Sequence, residues 1–276
     1  MGTSNIFLKY IYYPAVKYRI HVSAIFFTLV WTLYNSTQTQ VVWPIVWSFG
    51  LWHFALYLFD RAYDYDKDIV TQPDEAVKPF EQKFLLYTSI TLSIVPIVIL
   101  LYNNLIVWPY LCFIPITFLY TYPVIGEKRA KNFLIFKNFY SAFFIWTLPL
   151  LVIVVFYMKL THDVFHYYIN NFVGLFLYTM AGEALWDIRD VEGDKQFKVK
   201  TIPNTFGLVF TKIYIYLLIL FEFLFVSQSI SDSFLIYCLL LIFINEKSPR
   251  WLFHLPPLLA FLKFVIPNLL YPLFFR

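Results

Sequence analysis

Apolar runs long enough to cross a lipid bilayer recur through almost all of this 276-residue chain. About 20 apolar residues in a helix span the ~30 Å hydrocarbon core. Lipid offers no hydrogen bonds, so a spanning segment has to satisfy its backbone internally, as a helix does. The chain is thereby restricted to an all-α, polytopic fold. The runs predict about nine transmembrane helices, at 20–36, 41–59, 84–102, 104–122, 138–158, 166–186, 208–228, 232–245 and 251–273. Composition agrees, with 60% of residues hydrophobic, 14% charged and a mean hydropathy of +0.66. A soluble domain is about a quarter charged. No repeat or low-complexity tract divides the sequence, which reads as one transmembrane domain over 1–276.

The 21 Lys and Arg set the expected orientation. All but Lys159, Lys263 and Arg276 lie in the N-terminal segment or in and beside the loops after spans two, four, six and eight. The positive-inside rule makes those loops cytoplasmic, with the N-terminus inside and the C-terminus on the opposite side. The net charge of +4 expresses this bias and gives no reason to expect nucleic acid. The opening MGTSNIFLKYIYYPAVKYRI has no small-residue cleavage site and reads as an interfacial segment, not a signal peptide. Cys112 and Cys238 sit inside apolar runs and are expected to be packing residues.

Two stretches break the apolar pattern. LFDRAYDYDKDIVTQPDE, Leu58 to Glu75, follows the second span, and AGEALWDIRDVEGDK, Ala181 to Lys195, follows the sixth. They hold six and five acids, eleven of the chain's 17, and the orientation puts both on the cytoplasmic face. At about 100° per helical residue, Asp60, Asp64 and Asp68 fall within roughly 80°, and Glu183, Asp187, Asp190 and Asp194 within roughly 60°. Asp66 and Glu192 point away, and Gly193 is where the second helix is expected to end. Like charges at i, i+4 repel, so each stripe calls for a cation. The bland form of that cation is a nearby Lys or Arg. The other form is a metal: all-oxygen ligands without His or Cys select hard divalent ions, Mg²⁺ foremost. Mg²⁺ takes one or two carboxylates and completes its shell with water or phosphate oxygens. Two such stripes suit Mg²⁺ and a diphosphate.

At these residues the chain resembles the UbiA superfamily of intramembrane prenyltransferases. Its members typically carry Asn-x-x-x-Asp-x-x-x-Asp after the second helix and Asp-x-x-x-Asp after the sixth, on nine helices. Asp60, Asp64 and Asp68 match the first motif, with Asp60 in place of Asn. Asp190 and Asp194 match the second, inside the longer similar run DIRDVEGDKQFKVKTIPNTFG, Asp187 to Gly207. Where the family often has an Arg after its first motif, TQPDEAVKP places Glu75, with Lys78 just beyond.

The resemblance implies one bundle around a central cavity. It also implies Mg²⁺-dependent transfer of a polyprenyl group from a prenyl diphosphate to an aromatic or lipid acceptor within the membrane. With the stripes, it assigns Mg²⁺ ligands to Asp60, Asp64, Asp68, Asp187, Asp190 and Asp194, with Asp64 and Asp190 catalytic. Lys78, Lys128, Arg129, Arg189, Lys195 and Lys200 are candidate contacts to the diphosphate, and Glu183 to the substrate. The run YTYPVIGEKRAKNFLIFKN, Tyr120 to Asn138, is similar to the family's loop after span four, which supplies such contacts. An aromatic content of 22% suits a reaction through an allylic cation.

Other readings compete. A terpene cyclase on the same scaffold would capture the cation with the substrate's own double bond. A cation-linked transporter would carry acids too, but near the bilayer midplane on broken helices, whereas these lie at one surface. Membrane phosphotransferases with clustered Asp use a Gly and Arg pattern absent here. The run DIRDVEGD leans toward acceptors of the homogentisate, chlorophyllide or glycerophosphate-ether kind. His53 reads as a packing residue, and Glu222, an acid inside span seven, has no partner nameable from the sequence.

Overall fold

The computed structural model describes residues 13–36, 40–71, 76–123, 129, 132–134, 136–158, 162–227, 238–239, 241–249 and 252–253. Among them all regular structure is helical. The elements are α1 (Tyr13–Lys17), α2 (Ile20–Ser36), α3 (Trp43–Tyr63), α4 (Tyr65–Thr71), α5 (Pro79–Tyr102), α6 (Trp108–Leu111) and α7 (Phe113–Thr121). After them come α8 (Phe136–Tyr157), α9 (His162–Arg189), α10 (Val191–Gln196) and α11 (Ile202–Glu222). Among the described residues three helices are long and apolar enough to cross a membrane: α5, α8, and α11 with its continuation to Val226. α5 shows why lipid, not water, is their solvent. It is apolar, yet Phe80, Phe84, Tyr87, Val98, Leu101 and Tyr102 along it are exposed, as on a helix whose neighbours are acyl chains.

The helices match spans one, two, three, five, six and seven within a few residues at most ends. Span four departs from expectation. Instead of one helix over 104–122 the chain forms α6 and α7, separated at Cys112. Pro109 and Pro115 remove two backbone donors there. Cys112 is exposed, not packed. Spans eight and nine lie outside the described residues except at 238–239, 241–245 and 252–253.

Two compact units make up the chain, residues 1–34 with 40–122, and residues 35–39 with 123–276. In the first, α3 packs along α5 around a buried aromatic core. The Trp52 indole N–H reaches the Phe113 carbonyl at 3.2 Å and Thr117 Oγ1 at 3.0 Å. His53 stacks on Phe26 with centroids 4.1 Å apart, the packing role expected of it. Gly50 lets α2 approach closely, since a Cβ there would stand 2.7 Å from Phe27 Cδ2. Gly50→Ala is accordingly expected to cost about 1–3 kcal/mol, read as a lower detergent melting temperature. Gly50→Leu should cost more than Gly50→Ala.

In the second unit α9 packs on α8 and α11. Ala181 and Ala184, fully buried, let the helices close in, as small residues do between membrane helices. Leu185, Ile188, Ile215 and Ile219 fill the remaining space. Trp186 Nε1 donates to the Phe253 carbonyl at 2.9 Å. α11 is kinked at Gly207, whose φ of +86° suits only glycine.

Candidate active site

Both acidic motifs lie where a helix changes direction, and the change falls on the central Asp of each. Asp64 ends α3 with φ −86° and ψ 7°. Asp190 separates α9 from α10 with φ −97° and ψ 9°. The two share the sparsely populated bridge conformation often found in active sites. The break in the second motif is thus at Asp190, three residues before Gly193. The i→i−4 hydrogen bonds nevertheless run through each bend. The Asp64 N–H donates to the Asp60 carbonyl at 2.9 Å, and that of Asp68 to the Asp64 carbonyl at 2.8 Å. The Asp190 N–H donates to Trp186 at 3.2 Å, and that of Asp194 to Asp190 at 2.8 Å. The acids therefore stay close to one side of the chain despite the bends.

Around the first motif, α5 and α7 fix the end of α3. Gln82 Nε2 donates to the Ala62 carbonyl at 2.9 Å, satisfying one of the last carbonyls of the helix. Phe59 meets Phe118 edge-on at 5.1 Å. Thr121 Oγ1 lies 3.4 Å from Asp60 Oδ1. Asp60 and Asp64 are half-buried and Asp66 exposed. Asp68 is buried and paired with the equally buried Arg61, which donates to its Oδ2. Burial pushes the Asp68 carboxyl above the usual carboxylate range, and Arg61 pulls it back.

The second motif is more deeply set. Glu183, Asp187 and Asp194 are all buried, Asp194 completely. Lys137, at the start of α8, donates to Asp187 Oδ1. Asn138, with its amide turned to satisfy both ends, donates to Asp187 Oδ2 at 3.3 Å. Ser141 Oγ donates to Glu183 Oε1 at 2.6 Å. Arg189 forks onto its neighbour Asp190, Nε to Oδ1 and Nη2 to Oδ2, each at 2.8 Å. Beyond α10, Lys198 takes a left-handed φ of 55°, and the Val199 N–H closes back on the Asp194 carbonyl at 2.8 Å.

The candidate phosphate contacts divide. Lys78, Lys195 and Lys200 are exposed and Arg129 is half-buried. Lys78 Nζ stands 5.9 Å from the Phe80 ring centre. Arg189 is engaged with Asp190, and Lys128 lies outside the described residues. Residues not singled out in the sequence are Arg61 and Ser141, together with Thr121, Lys137 and Asn138, which lie within the run Tyr120 to Asn138 but were not named in it. Lys137 had one available signal: it is a cation at the very lip of an apolar run.

Among the described residues no three acids, His or Cys converge closely enough to enclose an ion. The donor set still fits Mg²⁺, which needs only one or two carboxylates and otherwise takes water and phosphate oxygens. In each motif a resident cation already balances part of the charge, so both forms of cation expected for the stripes are compatible with this arrangement.

The sequence matches the model of the UbiA prenyltransferase family over residues 6–260. The chain belongs to that family. This UbiA-family protein is therefore a prenyltransferase and an integral membrane protein. Its fold is similar to that of a UbiA homolog from Archaeoglobus fulgidus bound to DMAPP and Mg²⁺, with TM-score 0.60, 12% identity, and 92% of this chain and 98% of that one covered. The same homolog bound to GPP and Mg²⁺ gives a TM-score of 0.56 at 13% identity, over 91% and 99% of the two chains. A structure from work on digeranylgeranylglyceryl phosphate synthase in membranes gives 0.56 at 14% identity, over 92% and 95%. No curated protein matches the sequence. At such identities the likeness is one of fold.

Proposed function

We propose that this protein transfers a prenyl group from an allylic prenyl diphosphate to a hydrophobic or aromatic acceptor in the membrane, using Mg²⁺. The observation that carries the reading is the pair of all-oxygen motifs, each bent at its central Asp at a helix end. The structural relatives that hold DMAPP or GPP with Mg²⁺ support it. Asp60, Asp64 and Asp68 of the first motif and Asp187, Asp190 and Asp194 of the second would hold the metal. Bound there, Mg²⁺ supplies charge neutralisation for a departing diphosphate.

The protein's own groups do the rest. Lys78, Arg129, Lys195 and Lys200 offer ammonium and guanidinium donors to phosphate oxygens, and we assign Lys128 to the same set. We assign Glu183, which accepts a hydrogen bond from Ser141, to the substrate contacts as well. The C–O bond of the donor breaks with its electron pair leaving on the diphosphate, the acceptor attacks the allylic carbon, and a proton leaves the acceptor. Phe139, Phe143 and Phe176 form a ring cluster, with Phe139 and Phe176 centroids 5.7 Å apart. Phe176 lies two turns before Glu183, and such ring faces stabilise an allylic cation. The Lys and Arg distribution supports a cytoplasmic side for both motifs and the N-terminus, with the C-terminus opposite, and we assign the chain nine spans in one transmembrane domain.

The test is diphosphate release by purified protein in detergent, given geranyl, farnesyl or geranylgeranyl diphosphate, with and without a host lipid extract. Release that needs both Mg²⁺ and the extract is expected, and mass spectrometry of the product then names the acceptor. Release without extract would replace transfer by cyclisation or hydrolysis. No release with any donor would overturn the reading.

A further inference from the structure

We propose that Tyr214, on α11, is a further catalytic residue beside the second motif, donating a hydrogen bond to the diphosphate oxygen from which the prenyl group departs. This rests on the transfer reading above and adds a residue that neither acidic motif contains.

Tyr214 carries an orphaned hydroxyl. Its ring packs against the buried cluster that includes Ala181, Ala184, Leu185 and Ile188 of α9, as α9 and α11 pack together. Ala184 and Ile188 flank Asp187 in the chain. The phenol oxygen is enclosed, yet it has no hydrogen-bond partner among the described residues. It also lies within reach of the Asp187 charge. Buried tyrosine hydroxyls usually find a partner, and a buried donor left unmet is costly. A phenylalanine would fill the same space without that cost. The hydroxyl therefore calls for a ligand.

The neighbouring motif indicates which one. Its acids would hold Mg²⁺, and Mg²⁺ brings phosphate oxygens beside them. Lys137 and Asn138 already donate to Asp187 from α8, and Tyr214 adds a donor from α11. A phenol O–H is a neutral donor, which can stand in an apolar cluster where an unpaired ammonium would be far more costly. Lys78, Lys195 and Lys200 are exposed and suit the outer phosphate. Tyr214 suits the innermost oxygen, the one bonded to the prenyl carbon. That oxygen is a weak acceptor while esterified. As the C–O bond breaks, the electron pair stays on it, and the Tyr214 O–H, which keeps its proton, meets a growing negative charge. The hydrogen bond is then stronger in the transition state than in the bound donor, the condition for raising kcat.

The experiment uses the full-length protein in detergent. Binding of inorganic pyrophosphate with Mg²⁺ is read by calorimetry, and rate with the active donor among geranyl, farnesyl and geranylgeranyl diphosphate plus host lipid extract. Tyr214→Phe is expected to bind pyrophosphate about tenfold more weakly, the loss typical of one hydrogen bond to a charged group. Its kcat should fall by a similar factor of about ten, while the donor KM stays within about threefold. Without Mg²⁺ and pyrophosphate it should melt no lower than wild type, because the hydroxyl it loses has no protein partner. Tyr216→Phe, at an exposed tyrosine of the same helix, should leave affinity and rate within about twofold. A Tyr214→Phe protein with wild-type pyrophosphate affinity and kcat would overturn the proposal. So would one with wild-type pyrophosphate affinity that needs more extract for half-maximal rate, since the hydroxyl would then hold the acceptor. A lower ligand-free melting temperature would overturn it too, by making the hydroxyl structural. Wild-type protein that binds no pyrophosphate with Mg²⁺ would instead overturn the transfer reading, and the Tyr214 contact with it.

Discussion

Asparagine at Asp64 or at Asp190 is expected to slow prenyl transfer by ~10²–10³-fold, the usual loss when one preorganised electrostatic group is removed from a reacting centre. The substitution keeps size and one oxygen but deletes the charge that a divalent ion requires. Both residues occupy the bend of their motif in the same backbone conformation, and both are half-buried, open enough to meet a diphosphate. Asp66 and Glu192 belong to the same runs but are exposed. Asp66→Asn and Glu192→Gln should therefore leave the rate within about twofold, as surface changes away from a site do. The measurement is kcat for transfer, with the Mg²⁺ concentration that gives half-maximal rate. Raised Mg²⁺ should recover part of the activity of either central variant. A wild-type rate in Asp64→Asn would remove the first motif from the chemistry.

Much of this was legible in the sequence because membrane burial and charge leave strong signals. The 3.6-residue repeat of carboxylates placed both motifs, and α2, α3, α5, α8, α9 and α11 follow the apolar runs. Other features depend on what cannot be read locally. The helix bends at Asp64 and Asp190 follow from how the chain turns out of the helix end, and Asp itself is tolerated in either conformation. The i, i+4 repulsion argument called for a cation on each stripe, but which cation depends on contacts distant in sequence. Lys137 and Asp187 are separated by 50 positions, and no local pattern pairs them. Arg61 was nearer, seven residues from Asp68, yet on an unbroken helix those two would not be expected to pair in preference to solvent. The break of span four at Cys112 was foreshadowed by Pro109 and Pro115, each a missing donor in a run read as one helix.

Arg61→Met is expected to be the most destabilising change in the first motif, by about 3–5 kcal/mol, because it strands a buried carboxylate. Arg61 and Asp68 have side-chain exposures of 3% and 7%, so water screens neither. The pair joins the last turn of α3 to α4 across the bend at Asp64, and its loss should loosen the geometry of Asp64 as well as the fold. Asp68→Asn in the same chain should restore much of the stability, since a neutral amide needs no counter-ion. The pH dependence follows from the direction of the Asp68 shift. Burial holds its folded pKa above the ordinary value, and Arg61 opposes that rise, so removing Arg61 raises it further. A carboxyl whose folded pKa lies above its unfolded pKa favours the folded state when protonated, and that advantage is lost as pH rises through the folded value. Arg61→Met should thus lie closer to wild type in melting temperature at about pH 5 than at about pH 8. Arg61→Met, Asp68→Asn should show no such convergence. A gap between Arg61→Met and wild type that is the same at both pH values would mean that Asp68 does not carry the instability. The loss would then lie in the packing of the arginine stem alone.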